Sequence, residues 1–274
     1  FKMGDTLWDK GESEASIKIL EQALITLDVF FFRSKIGVVI GIMKEFIRQM
    51  LHTHFPKAFV SDKYKPSERD LIVTRLLGKL ARAYYFSDMN KAFYLWLKAL
   101  NLCEKIGPCS ELAYNYIYGG PAWITFPWFS RSFRDLNKGL KMSQDLGDKI
   151  KEGCAYAYLA MTSWSSSNMK LGIECSEKGV ALLKGLGEYW ELGVAYVFGE
   201  DCYYLVGKLK EFFPRNQEFI ALMKDSKALQ PLGWALGNRG LVLAFIGIVD
   251  DNTIKDIKES YGLLKETNAK PNIP

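Results

Sequence analysis

The chain has 274 residues, 49% of them hydrophobic and 24% charged, with a formal net charge of +5; this balance suits one or two folded cores or a continuous array and excludes a largely disordered chain. The basic excess gathers between Arg33 and Arg75 as a modest patch, too sparse for the cationic stripe that nucleic acid demands. Five Cys, an odd number with no CxxC pair, read as buried free thiols of a reducing, cytoplasmic compartment.

The chain opens on Phe1, already in a helical pattern and without a leader-like segment, and reads as a piece of a longer polypeptide. Residues 1–28 are expected to form one helix pair, Lys2–Asp9 and Ser13–Thr26. Residues 29–66 depart from the pattern that follows. Phe46, Ile47, Met50 and Leu51 are spaced for one long inserted helix, about Ser34 to His54, that caps or braces the first two pairs. A Phe-Pro-Lys-Ala-Phe turn and a Lys/Pro/Ser linker come next. His52 and His54 are the two histidines of the chain. Two residues apart on a helix, they do not share a face, so an exposed helix end is expected rather than a metal pair.

Residues 67–270 repeat. Ala113, Gly153, Gly193 and Gly233 stand forty residues apart, each followed three positions later by Tyr116, Tyr156, Tyr196 or Leu236. Ile106-Gly107, Leu146-Gly147 and Leu186-Gly187 keep the same period. A second column set matches Ala92, Trp96 and Ala99 with Ser132, Leu136 and Gly139, and with Gly172, Ser176 and Gly179; Ser16, Leu20 and Ala23 follow suit. A small residue lets two helices approach, and a large one a turn later fills the facing groove. The expected pairs are Glu68–Phe86 with Asn90–Lys105, Ser110–Thr125 with Trp128–Leu146, Lys149–Ser165 with Met169–Leu186, Trp190–Val206 with Leu209–Lys227, and Leu232–Ile246 with Ile254–Glu266. Ser67 with Asp70, and Thr253 with Asp256, are spaced as helix starts. The uncharged stretch Leu112–Ser130 has membrane-spanning length, but Asn115, Gly119, Gly120, Pro121 and Pro127 argue against a lipid-embedded helix, and no membrane partner is expected. The fold class is therefore all-α: a right-handed α-α superhelix, a solenoid of about six helix pairs. One pair cannot bury its apolar face without its neighbours.

These small-large-small columns are similar to the tetratricopeptide consensus. The forty-residue period resembles its longer variant in large bacterial signal-transduction ATPases, including the maltose-regulon activator type. The strings WLKALNLCEKIGPCSELAYNY, ITFPWFSRSF and MSQDLGD resemble the helical region that follows an AAA-type ATPase module in very large bacterial signalling proteins. There a kinase-like module often precedes the ATPase, and a histidine kinase, phosphatase or nucleotide cyclase often follows the helices. The resemblance spans about Asp5 to Lys265. It implies a sensor or coupling arm and brings no catalytic residue, because the family's catalytic parts lie outside such a region.

The residues themselves display no catalytic constellation. The chain has no GxxxxGK[ST] loop, GxSxG elbow or HExxH pair. Asp250-Asp251-Asn252 lacks the glycine and terminal glutamate of a calcium loop and reads as helix capping. Glu200 and Asp201 are adjacent, so on a helix they point differently, and no acid–base pair is inferred from them. No enzyme activity, metal or cofactor is expected.

Aromatic residues carry the functional expectation. Five positions after the small column come Tyr118, Tyr158, Phe198 and Asn238, turned away from the second helix of each pair. Tyr114, Trp190, Val194, Asp201 and Trp234 fall on the same faces. In tetratricopeptide-like stacks the first helices line the concave surface, where such rings grip a peptide, a helix or a flat ligand. The competing reading is that the rings pack neighbouring helices. The same two readings apply to Gly119–Phe129, where Pro121 should kink or interrupt the helix and Pro127 should open the next. The expected partner is a protein or peptide, or an adjacent domain of the parent chain, with a small-molecule effector as the alternative.

Overall fold

The computed structural model describes residue 3 and residues 13–56, 66–85 and 87–267. Twelve α-helices follow one another there: α1 (Ser13–Thr26), α2 (Lys35–His54), α3 (Glu68–Tyr84), α4 (Met89–Ile106), α5 (Ser110–Gly119), α6 (Phe129–Asp145), α7 (Lys149–Ser165), α8 (Met169–Leu183), α9 (Tyr189–Leu205), α10 (Leu209–Ser226), α11 (Leu229–Phe245) and α12 (Asp251–Glu266), with one 3-10 turn, Gly120–Thr125. Among the described residues there is no strand, and no helix is long and apolar enough to cross a membrane. All but residue 3 of the expected helix Lys2–Asp9, most of the linker after Pro56, and Phe86 lie outside the described residues.

The chain divides into two compact units, 1–122 and 123–274, a division that falls inside the expected 67–270 array. In the first unit α1 packs on α3, α3 on α4 and α5, and α4 on both α2 and α5. Its core is Leu24, Leu77, Leu80, Leu95, Leu97 and Leu100, all essentially inaccessible. In the second unit every helix from α6 to α12 packs on the next, and α7, α9 and α11 also pack side by side. The small columns have the expected purpose. A Cβ on Gly179 of α8 would stand 3.2 Å from the Ala157 amide nitrogen and 3.3 Å from the Ala195 Cβ, so this glycine lets α8 settle between α7 and α9.

Local chemistry sets the boundaries. Ser67 and Asp70 make a reciprocal capping box at α3, while Ser34, Asp88, Asp148 and Asn168 each accept a first-turn amide. Gly107, Gly147 and Gly187 take positive φ at the expected turns. A second turn column was not anticipated: Ser167, Gly207 and Gly247, forty residues apart, all adopt left-handed φ. At each, the amide of that residue and the next fold back on the helix end, as Gly207 on the Tyr204 carbonyl and Lys208 on that of Tyr203.

Three local expectations need correction. The helix expected to run Ser110–Thr125 stops at Gly119 and continues as a 3-10 turn through Pro121; Pro127 precedes α6 instead of sitting in its first turn. Asp250, not Thr253, caps α12, accepting from the Thr253 amide at 2.8 Å and hydroxyl at 2.9 Å. Asp256 is thereby left to pair with both Nε and Nη2 of Arg239. His52 is buried, not exposed, and its Nδ1 lies 2.7 Å from Glu104 Oε2.

Candidate functional site

The ring positions lie on α5, α7, α9 and α11, and helical spacing decides which can meet. In the first unit Tyr114 and Tyr118, four apart on α5, stack with centroids 4.2 Å apart. The Arg82 guanidinium from α3 stands 5.2 Å from the Tyr118 ring centroid. Both tyrosines are half-buried.

In the second unit Trp190 on α9 meets Trp234 on α11 edge to face, centroids 4.7 Å apart. Tyr158 on α7 and Phe198 on α9 both pack against the cluster Leu136, Leu159, Ala160 and Cys175, and Trp164 lies 5.3 Å from Phe198. These rings too are half-buried. Asp201 and Asn238, expected only to lie on the same faces, are in contact: Asn238 Nδ2 donates to Asp201 Oδ1 at 3.4 Å and to Glu200 Oε2 at 3.4 Å. The structure thus joins Tyr114 with Tyr118, Trp190 with Trp234 and Asp201 with Asn238, and sets Tyr158 and Phe198 on one shared cluster.

Glu200, adjacent to Asp201 and not expected to form an acid–base pair with it, follows Tyr196 by one helical turn, on the face that the repeat column marks as inward. It is fully buried. Its Oε2 also accepts from Asn216 Nδ2 at 3.1 Å, and its Oε1 has no partner. Burial, reinforced by the neighbouring Asp201 charge, pushes its carboxyl up to about 8 against the opposing pull of Asn216 and Arg215. Burial also raises Asp201 to about 7. Both shifts favour the protonated acids, which can donate as well as accept hydrogen bonds.

No family model matches the chain, and a search of curated proteins returns no match.

Two other sequence features are placed by burial. Trp123 is wholly buried, donates to Asp135 Oδ2 at 2.9 Å and carries the Arg131 guanidinium over its ring, whereas Phe126 and Trp128 stay largely exposed. The five cysteines are free, four buried and Cys109 half-buried. Burial lifts the Cys175 thiol to about 11 and Cys202 to about 12, the state of inert structural thiols. Among the described residues no group of three or more His, Cys, Asp or Glu is placed to hold a metal ion.

Proposed function

We propose that the chain is a non-catalytic interaction arm of a larger cytoplasmic signalling protein. In this reading its helix pairs continue as a right-handed superhelix, and the face shared by the first helices binds a peptide or protein segment. The observation that carries the reading is the recurrence of half-buried rings on those helices, above all the Trp190–Trp234 contact that bridges α9 and α11. A ring packed on one side and open on the other offers apolar area at little entropic cost. The resemblance to helical regions of signal-transduction ATPases supplies the context, with the parent's output module as an adjacent partner.

One observation favours a small-molecule effector as a second reading. Glu200, Asp201 and Asn238 converge within the second unit, the kind of polar group that fixes orientation in a ligand pocket.

The test compares Trp234→Ala with wild type in capture from a lysate of the source cells and in thermal melts. The expected outcome is partner capture weakened by about 1–4 kcal/mol, with a melting shift much smaller than that of a core truncation. A large stability loss with unchanged capture removes the groove reading. Native mass spectrometry of the purified chain showing a small molecule lost in Asn238→Ala would favour the effector reading. Hydrolase, kinase and phosphatase substrate panels should give background rates.

A further inference from the structure

Helix α2 is built inside out. Its buried face carries Gly37, Val38 and Gly41 in the first half and is polar in the second, where Glu45, Gln49 and His52 are almost inaccessible. Gln49 Nε2 donates to Glu104 Oε2 at 2.7 Å and to Asn101 Oδ1 at 3.2 Å, and Asn101 Nδ2 donates to the Glu45 carbonyl at 2.8 Å and to Oε2 at 2.9 Å. Tyr116 completes the cluster, its hydroxyl donating to Glu104 Oε1 at 2.7 Å. The outer face is apolar. Ile36, Val39, Ile40, Met43 and Ile47 are each more than half exposed, and Leu51 is 39% exposed. Spaced by threes and fours, they form one ridge about 22 Å long at about 1.5 Å per residue.

A solvated helix ordinarily presents the opposite arrangement. Turning α2 over would bury the ridge but strip Asn101 of its bonds to Glu45 and Gln49 and leave Glu104 facing hydrocarbon, with Tyr116 but without its Gln49 and His52 contacts, which costs more than exposed aliphatic surface. The polar anchor therefore holds the ridge outward as a preformed surface, of the kind that marks an interaction site.

Charge narrows the occupant. Lys35 and Lys44 are exposed and Arg48 half-buried, flanking the ridge, while the single acidic residue of α2, Glu45, is buried beneath it and paired with Arg48 at 3.0 Å. A second copy would meet this face with the same cations. Bilayer-surface helices carry Trp, Phe or Leu along the embedded face. Here Phe30 and Phe55 stand before and after the helix, and the ridge itself is Ile, Val, Met and one Leu, side chains that seat as knobs against a facing helix. We propose that the outer face of α2 is a docking seat for an amphipathic α-helix of a partner protein, apolar at i, i+3 or i+4, and i+7, with Asp or Glu on both flanks. This surface is independent of the aromatic face and stands or falls separately.

The test selects a random 20-residue peptide display library on the intact chain after depletion on an Ile40→Glu/Ile47→Glu variant, which removes any peptide that binds elsewhere. Both positions are exposed, so the variant should melt as wild type does. The expected result is a consensus with helical apolar spacing and acidic flanks. Those peptides should bind the variant at least about tenfold more weakly, and a Lys35→Glu/Lys44→Glu variant several-fold more weakly. Four results would overturn the proposal: no enrichment; a consensus lacking helical spacing or acidic residues; a dimer in sedimentation that Ile40→Glu dissociates; or co-sedimentation with phosphatidylcholine–phosphatidylserine vesicles that Ile40→Glu abolishes.

Discussion

Trp96 shows how one side chain ties two helices together. It is buried on α4, donates Nε1 to the Asn115 carbonyl at 2.9 Å, and lies where a Cβ on Gly119 would have to be. Trp96→Ala should cost about 3–5 kcal/mol in urea unfolding. Gly119→Ala, a change of one methyl, should cost about 1–3 kcal/mol, because the indole has nowhere to go. Glu200 contributes in the opposite sense. Its carboxyl moves from an ordinary 4.5 to about 8 on folding, so between those values the folded chain holds a proton that the unfolded chain has released. Stability should therefore fall as pH rises through that window and level off above it. Glu200→Gln should flatten this slope and exceed wild type by on the order of 1–3 kcal/mol at about pH 9, read from urea midpoints at about pH 5, 7 and 9. A steeper slope in the variant would contradict the neutral state of the buried acid.

At the scale of the element, ends matter more than interiors. Ser167 ends the α7 turn with φ of 61°, where Gly207 and Gly247 occupy the same point of the next two repeats. An L side chain pays about 1 kcal/mol in that region. Ser167→Gly is expected to raise the unfolding free energy by a few tenths to about 1 kcal/mol, and Gly207→Ser to lower it by a similar amount, in paired denaturant titrations. Helix α2 follows a different rule. Its register is set by what lies beneath it, since the Glu45–Asn101 and Gln49–Glu104 bonds admit one azimuth, whereas aliphatic contacts would tolerate several.

At the scale of the molecule, neighbour-to-neighbour packing predicts local damage. Each helix leans on the next one or two within its unit, so Trp96→Ala should raise hydrogen exchange first in α3, α4 and α5 while α10 to α12 keep their protection; uniform loosening of all helices would contradict this. The same locality explains what could be read without coordinates. Helix spans, the forty-residue turns, the capping box at Ser67 and the small columns follow from spacing along one chain, because periodicity and φ preferences act over a few residues. Gly107, Gly147 and Gly187 were visible for that reason, and Ser167 was not, because a serine there hides the column. The exposure of the Ile36–Leu51 ridge, the burial of His52 and the raised carboxyl of Glu200 were decided only by the tertiary structure. An amphipathic helix has two faces, and its sequence states their contents without stating which one turns inward. For α2 that choice belonged to Asn101 and Glu104, some fifty residues downstream, whose unmet hydrogen bonds outweigh the cost of leaving six aliphatic side chains in water.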